Sequence, residues 1–206
     1  MVFPERTAIA SRNAHKLREL GRICADWPTV WVTVETHDPA SFPDVEETAE
    51  TYLENALLKA HAVASALGVP AVADDSGIEV DALGGKPGPR SARYAGEHAT
   101  DEENLDRLMQ ALRGIPGSGR TARYRCVAAL AFPDGKELHA EGTCEGTLVP
   151  RRRGEGGFGY DPAFVPEGWE ETMAELTDQQ KDRISHRGRA FRALKELLAS
   201  DLPDSR

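Results

Sequence analysis

The chain has 206 residues, with 34 Asp and Glu against 25 Lys and Arg, a formal net charge of −9 and 40% hydrophobic residues. That acidity excludes a nucleic-acid surface, which needs a basic footprint, but not a nucleotide, whose phosphates can be met by local basic residues and a metal ion. No apolar run approaches the roughly 18 residues that span a bilayer, the opening Met1-Val2-Phe3-Pro4-Glu5-Arg6 has no leader pattern, and three cysteines without a CxxC pair form no disulfide framework. The expectation is one cytoplasmic domain over 1–206, with no membrane partner and with Cys24, Cys126 and Cys144 reduced in the core.

Thr7 to Ala10 reads as a strand, and Ala14 to Cys24 as a helix with Leu17, Leu20 and Ile23 on one face. Between them lie Ser11, Arg12 and Asn13, followed by Ala14, His15 and Lys16 in the first helical turn. A helix N-terminus offers free N–H groups and a partial positive charge, so phosphate binds there readily. Ser11 and Asn13 can donate to phosphate oxygens, and Lys16 adds a full charge. Asn13 is equally an ordinary N-cap, and the two uses are compatible.

Val30 to Val34 alternates as a second strand. Glu46 and Glu47 precede a helix in which Leu53, Ala56, Leu57, Ala60, Ala64 and Leu67 recur at helical spacing, with Gly68 as the stop. Acids before a helix N-terminus are favoured by its dipole and need no further role. Asn55 and Lys59, one turn apart, share a helix face. Val69 to Ala73 is a short buried strand delivering Asp74, Asp75 and Ser76 onto a turn at Gly77. Adjacent strand residues face opposite ways, so the two acids cannot share one task. One can hold a divalent cation while the other supports the backbone; an Asx-type turn explains the same residues without a ligand.

After the loop Gly84-Gly85-Lys86-Pro87-Gly88-Pro89-Arg90, Thr100-Asp101-Glu102-Glu103 is a capping box opening a helix to Leu112. Ala122 to Phe132 and Leu138 to Val149 flank Pro133-Asp134-Gly135 as a hairpin. The resulting order predicts an α/β protein with a mixed central sheet flanked by helices. The loop at 150–162 carries Phe158-Gly159-Tyr160-Asp161, where an aromatic ring can stack on a purine and Tyr160 fits a hydrophobic anchor. The Arg151-Arg152-Arg153 run reads as solvated surface. A second capping box at Thr177 opens a helix to about Ser200. On an unbroken helix Lys181 and His186 would diverge by roughly 140°, so their joint action requires a break near Ser185–Gly188, which Gly188 allows.

In this order the Ser11–Lys16 motif, Glu46-Glu47 with Glu54-Asn55-Ala56, the Asp74-Asp75-Ser76-Gly77 stretch, Phe158–Asp161 and Ser185-His186-Arg187-Gly188 resemble the inosine triphosphate pyrophosphatase family, from about Thr7 to Leu198. The resemblance implies two lobes around a deep cleft and homodimers. It also implies Mg²⁺-dependent hydrolysis of ITP, dITP and XTP to the monophosphate and pyrophosphate. Asp75 is then the proton acceptor and a metal ligand, beside Glu46 or Glu47. Substrate contacts fall to Ser11, Arg12, Asn13, Ala14, His15, Lys16, Ser76, Phe158, Gly159, Tyr160, Asp161, Lys181, His186 and Arg187. At the base, Arg187 or a backbone N–H of the His186 turn would donate to a 6-oxo group, and Asp161 or a carbonyl would accept the N1 proton. The family often carries Gly where this chain has Arg12, leaving open whether the backbone or the guanidinium meets phosphate. A related pyrophosphatase for pyrimidine or modified nucleotides, and a non-catalytic nucleotide sensor, are the two other readings. The sensor gains little from paired acids.

Overall fold

Period-2 alternation organises the sheet from its first strand. The computed structural model describes residues 3–200; Met1-Val2, part of the leader reading, lies outside them. The elements are β1 (Arg6–Ile9), α1 (Ala14–Ile23), β2 (Val30–Val32), α2 (Tyr52–Leu67), β3 (Ala71–Val80), α3 (Asp101–Ala111), β4 (Thr121–Ala131), β5 (Glu137–Leu148), β6 (Phe164–Pro166), α4 (Asp178–Ile184) and α5 (His186–Ser200). Six strands form one sheet in the order β2-β1-β3-β4-β5-β6. β1 is parallel to β2 and to β3, with Thr7 opposite Trp31 and Ala8 opposite Ala71, whereas β5 and β6 are antiparallel. The sheet is mixed, as the alternation of patterns predicts. Among the described residues no helix is long and apolar enough to cross a membrane.

Local chemistry accounts for the helix ends. Asn13 caps α1, Thr51 caps α2, and Thr100 and Thr177 form complete capping boxes with Glu103 and Gln180. Gly68 ends α2 at φ 65°, a left-handed conformation that glycine adopts without a Cβ clash.

Two expectations are corrected. The chain does not turn at Gly77: β3 runs unbroken to Val80, because Ile78 and Val80 are both fully buried and continue the strand. Asp74, Asp75 and Ser76 therefore lie within a strand. The second strand stops at Val32, where Thr33 begins a turn closed by Thr36 N–H donating to its carbonyl at 3.1 Å. The late helical region breaks where the sequence predicts, at Ser185, which is extended (φ −63°, ψ 153°); Gly188 lies within α5 and is not what permits the break. The three-residue β6 was too short to register as a pattern.

The chain divides into two compact units: the described parts of Met1–Asp75, Cys126–Gly142 and Arg187–Arg206, and then Ser76–Arg125 with Thr143–His186. In the first, alternate strand residues feed two cores. Ala8, Ala71, Ala73, Val127 and Ala129 join Ala56, Ala60 and Val63 of α2. Their strand neighbours Ile9, Val72, Cys126, Ala128 and Leu130 join Leu17 and Leu20 of α1 and Phe191 and Leu194 of α5. Small alanines on one face admit α2 closely, while each fully buried Leu or Phe on the other contributes about 1.5–3 kcal/mol. All three cysteines are buried thiols without disulfides.

The second unit has one apolar core, with Ile78, Val80, Leu105, Leu108, Tyr124, Phe164 and Met173. The intervening strand residues are charged. Arg123 meets Asp81 at 3.0 Å and Glu145 at 3.1 Å, and Arg125 meets Glu79 at 3.6 Å. Gly146 of β5 is where β6 closes in, since a Cβ there would lie 2.3 Å from the Val165 carbonyl oxygen and 2.6 Å from Phe164 Cζ. Gly146→Ala is expected to cost about 1–3 kcal/mol through overpacking, read as a lower urea midpoint with an unchanged slope; an unchanged midpoint would show that β6 yields.

Candidate active site

The two-core alternation sends Asp74 and Asp75 to different helices. Asp74 shares the parity of Val72 and meets α1 and the start of α5; Asp75 shares that of Ala71 and Ala73 and meets α2. Both are 3% exposed.

Asp74 is surrounded by charge compensation. Arg187, 2% exposed, donates from Nε at 3.3 Å and Nη2 at 3.1 Å to Asp74 Oδ2, and from Nη1 to Glu19 Oε2 at 2.5 Å. Lys16 Nζ lies 3.1 Å from the same Asp74 oxygen. Burial alone would raise the Asp74 carboxyl, but the charges of Arg187 and Lys16 outweigh it and hold the group far below the usual carboxylate range. Burial likewise works against the Lys16 ammonium, yet Asp74 foremost keeps its pKa above the ordinary lysine value.

Asp75 is treated differently. Asn55, fully buried on α2, donates to Asp75 Oδ2 at 3.0 Å. The same amide grips Ala49, accepting from its N–H at 3.0 Å and donating to its carbonyl at 3.3 Å. Lys59, one turn on, donates to the Asp74 carbonyl at 2.7 Å, binds Glu47 Oε1 and lies 4.0 Å from Asp75 Oδ1. Here burial wins: it raises the Asp75 carboxyl above its ordinary range despite Lys59 and Lys16. For Glu47 burial also pushes upward, but Lys59 overcomes it and lowers the pKa. Of the two acids before α2, Glu47 joins this group while Glu46 is exposed.

Among the described residues no group of three or more His, Cys, Asp or Glu could hold a metal ion. Mg²⁺ needs no such cage, since it typically takes one or two carboxylates, waters and substrate phosphates. Asp75 and Glu47, oxygen donors sharing one ammonium, suit that mode of binding.

The Ser11–Lys16 segment is a capped helix start. Asn13 Oδ1 accepts from the N–H groups of His15 at 2.9 Å and Lys16 at 3.2 Å, and Ser11 Oγ accepts from Asn13 N–H at 3.2 Å. Exposed Ala14 opens α1, and His15 Nδ1 pairs with Arg18 at 2.9 Å. Arg12 donates to the carbonyls of Pro39 and Phe42, at 3.2 and 2.5 Å, so its guanidinium anchors that loop.

The remaining candidates belong to the second unit, where Ser76 is half-buried. Asp161 Oδ2 accepts from Lys181 Nζ at 2.5 Å and from Phe158 N–H at 2.9 Å, and its Oδ1 from the Tyr124 hydroxyl at 3.1 Å. Lys181 Nζ also sits 5.0 Å from the Phe158 ring centroid, within cation–π range. Gly157, at φ 69°, must lack a side chain, because a Cβ would fall 2.1 Å from Asp161 Oδ2. Gly159 N–H donates to Asp101 at 3.1 Å, and Tyr160 anchors the loop through its hydroxyl to the Ser91 carbonyl at 2.7 Å. The His186 imidazole stacks on Tyr124, with centroids 4.5 Å apart and planes 7° from parallel.

Sequence reasoning missed Glu19 and Tyr124. Glu19 carried a signal, a charge three residues after Lys16 and beside Leu20 on an apolar stripe. Tyr124 looked like an inward strand residue between Ala122 and Cys126, and its partners are distant in the chain.

The sequence model of the Ham1 family matches residues 7–197. The dITP/XTP pyrophosphatase of Streptomyces coelicolor is 52% identical over 197 residues, covering 94% of this chain and 98% of that protein. A solved structure of the Staphylococcus aureus Ham1 protein superposes with a TM-score of 0.82 at 40% identity, covering 96% of this chain and all of that one. The HAM1 protein of Coxiella burnetii gives 0.83 at 39% identity over 95% and 98% of the two chains.

Arg187→Met would leave Asp74 and Glu19 buried with the guanidinium gone, and is expected to cost about 3–5 kcal/mol in urea unfolding at neutral pH. A carboxyl with a depressed folded pKa contributes stability above its unfolded pKa and loses it as pH falls. Wild-type stability should therefore decline below about pH 4, with a shallower slope in Arg187→Met, where Asp74 has lost its main partner. Parallel slopes would show that Arg187 does not set the Asp74 charge.

Proposed function

Because the chain belongs to the Ham1 family, we propose that it hydrolyses noncanonical purine nucleoside triphosphates, dITP, ITP and XTP among them, to the monophosphate and pyrophosphate. The name of the Streptomyces relative supports the substrate class. The observation that carries the chemistry is Asp75: a buried carboxyl, raised in pKa, held by Asn55 and adjoining Lys59 and Glu47. A carboxylate pushed toward neutral pH is a better proton acceptor than an exposed one. Asp75 thus takes the proton of the attacking water, and Asn55 holds its carboxyl group in place.

Asp75 and Glu47 are the residues that would hold Mg²⁺. The ion would offset phosphate charge and acidify water. Lys59 keeps the two acids from repelling each other. Lys16, its proton secured by Asp74, supplies a fixed positive charge beside a helix N-terminus, where phosphate is favoured.

The Phe158–Asp161 loop, Lys181 and His186 are assigned to the base, with Phe158 as the stacking ring. Arg187 is occupied by Asp74 and Glu19, so recognition of the 6-oxo group falls to a backbone N–H of the His186 turn. Adenine presents a donor there instead of an acceptor, and sites built on such bonds reject the mismatch by roughly 10⁴-fold. A cytoplasmic homodimer is part of the same proposal.

A panel of ITP, XTP, dITP, GTP, ATP and dTTP with Mg²⁺, scored by pyrophosphate release, tests the reading. ITP, dITP and XTP should turn over fastest, GTP clearly less well, and ATP least among the purines; EDTA should stop turnover and Mg²⁺ restore it. Preference for dTTP would make it a pyrimidine enzyme, and ITP binding without pyrophosphate release would make it a sensor.

Asp75→Asn should lower turnover by about 10²–10⁴-fold. Its thermal midpoint should not fall, because burial already disfavours the native charge. Near-wild-type turnover would remove Asp75 from the chemistry.

A further inference from the structure

Tyr124 sits at the hub of the base-side residues without belonging to any of their motifs. It is 7% exposed and lies in β4 of the second unit. Its ring meets Phe164 edge-on, at 4.7 Å and 61°, and stacks on the His186 imidazole on the parallel plane already described. The first contact belongs to the apolar core; the second does not, since imidazole is polar and His186 adjoins the helix break at Ser185.

The hydroxyl works on a different partner. It donates to Asp161 Oδ1, while the other oxygen of that carboxylate receives Lys181 and the Phe158 N–H. A carboxylate with donors on one oxygen only can swing about its last side-chain bond, which is broad and weakly hindered. Bonding at both oxygens fixes the plane. With that plane go the position of the Lys181 ammonium and the backbone entry of Phe158, whose ring the ammonium faces at 5.0 Å. One side chain thereby fixes two otherwise separate parts of the base-side group, the 158–161 loop and the imidazole after the break.

We propose that Tyr124 is the positioning residue for base recognition, its hydroxyl orienting Asp161 and its ring setting the plane of His186. The inference rests on the assignment of these residues to the base and deepens it. Tyr124 does not itself touch the nucleotide. Its effect falls on affinity and on discrimination between bases rather than on the hydrolytic step, which belongs to Asp75.

Tyr124→Phe separates the two functions, because it keeps both ring contacts and deletes one hydroxyl. Wild type and variant are compared on ITP and GTP for kcat and KM, and for affinity toward inosine monophosphate by calorimetry. The KM for ITP and the dissociation constant of the monophosphate should each rise about tenfold, the low end of what a hydrogen bond to a charged group supplies. The ITP preference over GTP should narrow, and kcat should stay within about twofold. Leu108→Val, a cavity in the same core, should lower the thermal midpoint without moving either ratio. Asp161→Asn keeps an acceptor for the tyrosine but removes the charge facing Lys181, and should raise KM at least as far. Unchanged KM in Tyr124→Phe or in Asp161→Asn, or a loss confined to kcat, would overturn the positioning role. Absence of ITP turnover in the wild type would instead sink the functional reading itself.

Discussion

A strand cannot point two neighbouring side chains the same way, and the rest of the site depends on that constraint. β3 places Asp74 and Asp75 in succession with both faces covered, so each carboxylate must be compensated by a different helix or remain uncharged. The Asp74 face receives an arginine and a lysine with a second acid, a balanced set of two cations and two anions. The Asp75 face receives an amide and a lysine already shared with Glu47. The two environments move the same side chain in opposite directions.

That asymmetry sets a compensated acid beside one that burial disfavours. Removing a partner from a satisfied buried ion group is strongly destabilising, because the survivor stays buried and charged. The Asp74 group is therefore a structural commitment, joining α1, β3 and α5 of the first unit. Asp75 is the opposite case, a group the fold would hold more easily if it were neutral. Burial of this kind is what moves a carboxyl toward a pKa at which it can take up a proton.

How much could be read from the residues follows the same physics. Strand alternation, helical spacing and capping boxes are local, and they predicted the α/β class, the mixed sheet and the starts of α3 and α4. The separate surroundings of Asp74 and Asp75 were also local, following from strand geometry. The identity of the partners was not. Arg187 is 113 residues from Asp74 and 168 from Glu19, and Tyr124 is 37 from Asp161. No window-based pattern holds such pairs, so Arg12 and Arg187 looked like available cations whereas each is spent on protein oxygens. The supposed turn at Gly77 failed for a related reason: Asp-Ser-Gly favours a turn by itself, but burial of Ile78 and Val80 outweighs that preference.

The second unit repeats the logic with less charge. Asp161 is a buried acid like Asp74, compensated by Lys181 and by neutral donors rather than by an arginine. Neutral donors fix direction with little Coulombic gain, which suits a carboxylate whose task is to hold a loop in place. Gly157 marks how close that loop must come, since any Cβ there would collide with the Asp161 oxygen. The glycine, the acid and the lysine are thus one packing unit. Substituting any of them changes where the Phe158 ring lies, because the Asp161 oxygen holds both the Phe158 N–H and the lysine that faces its ring.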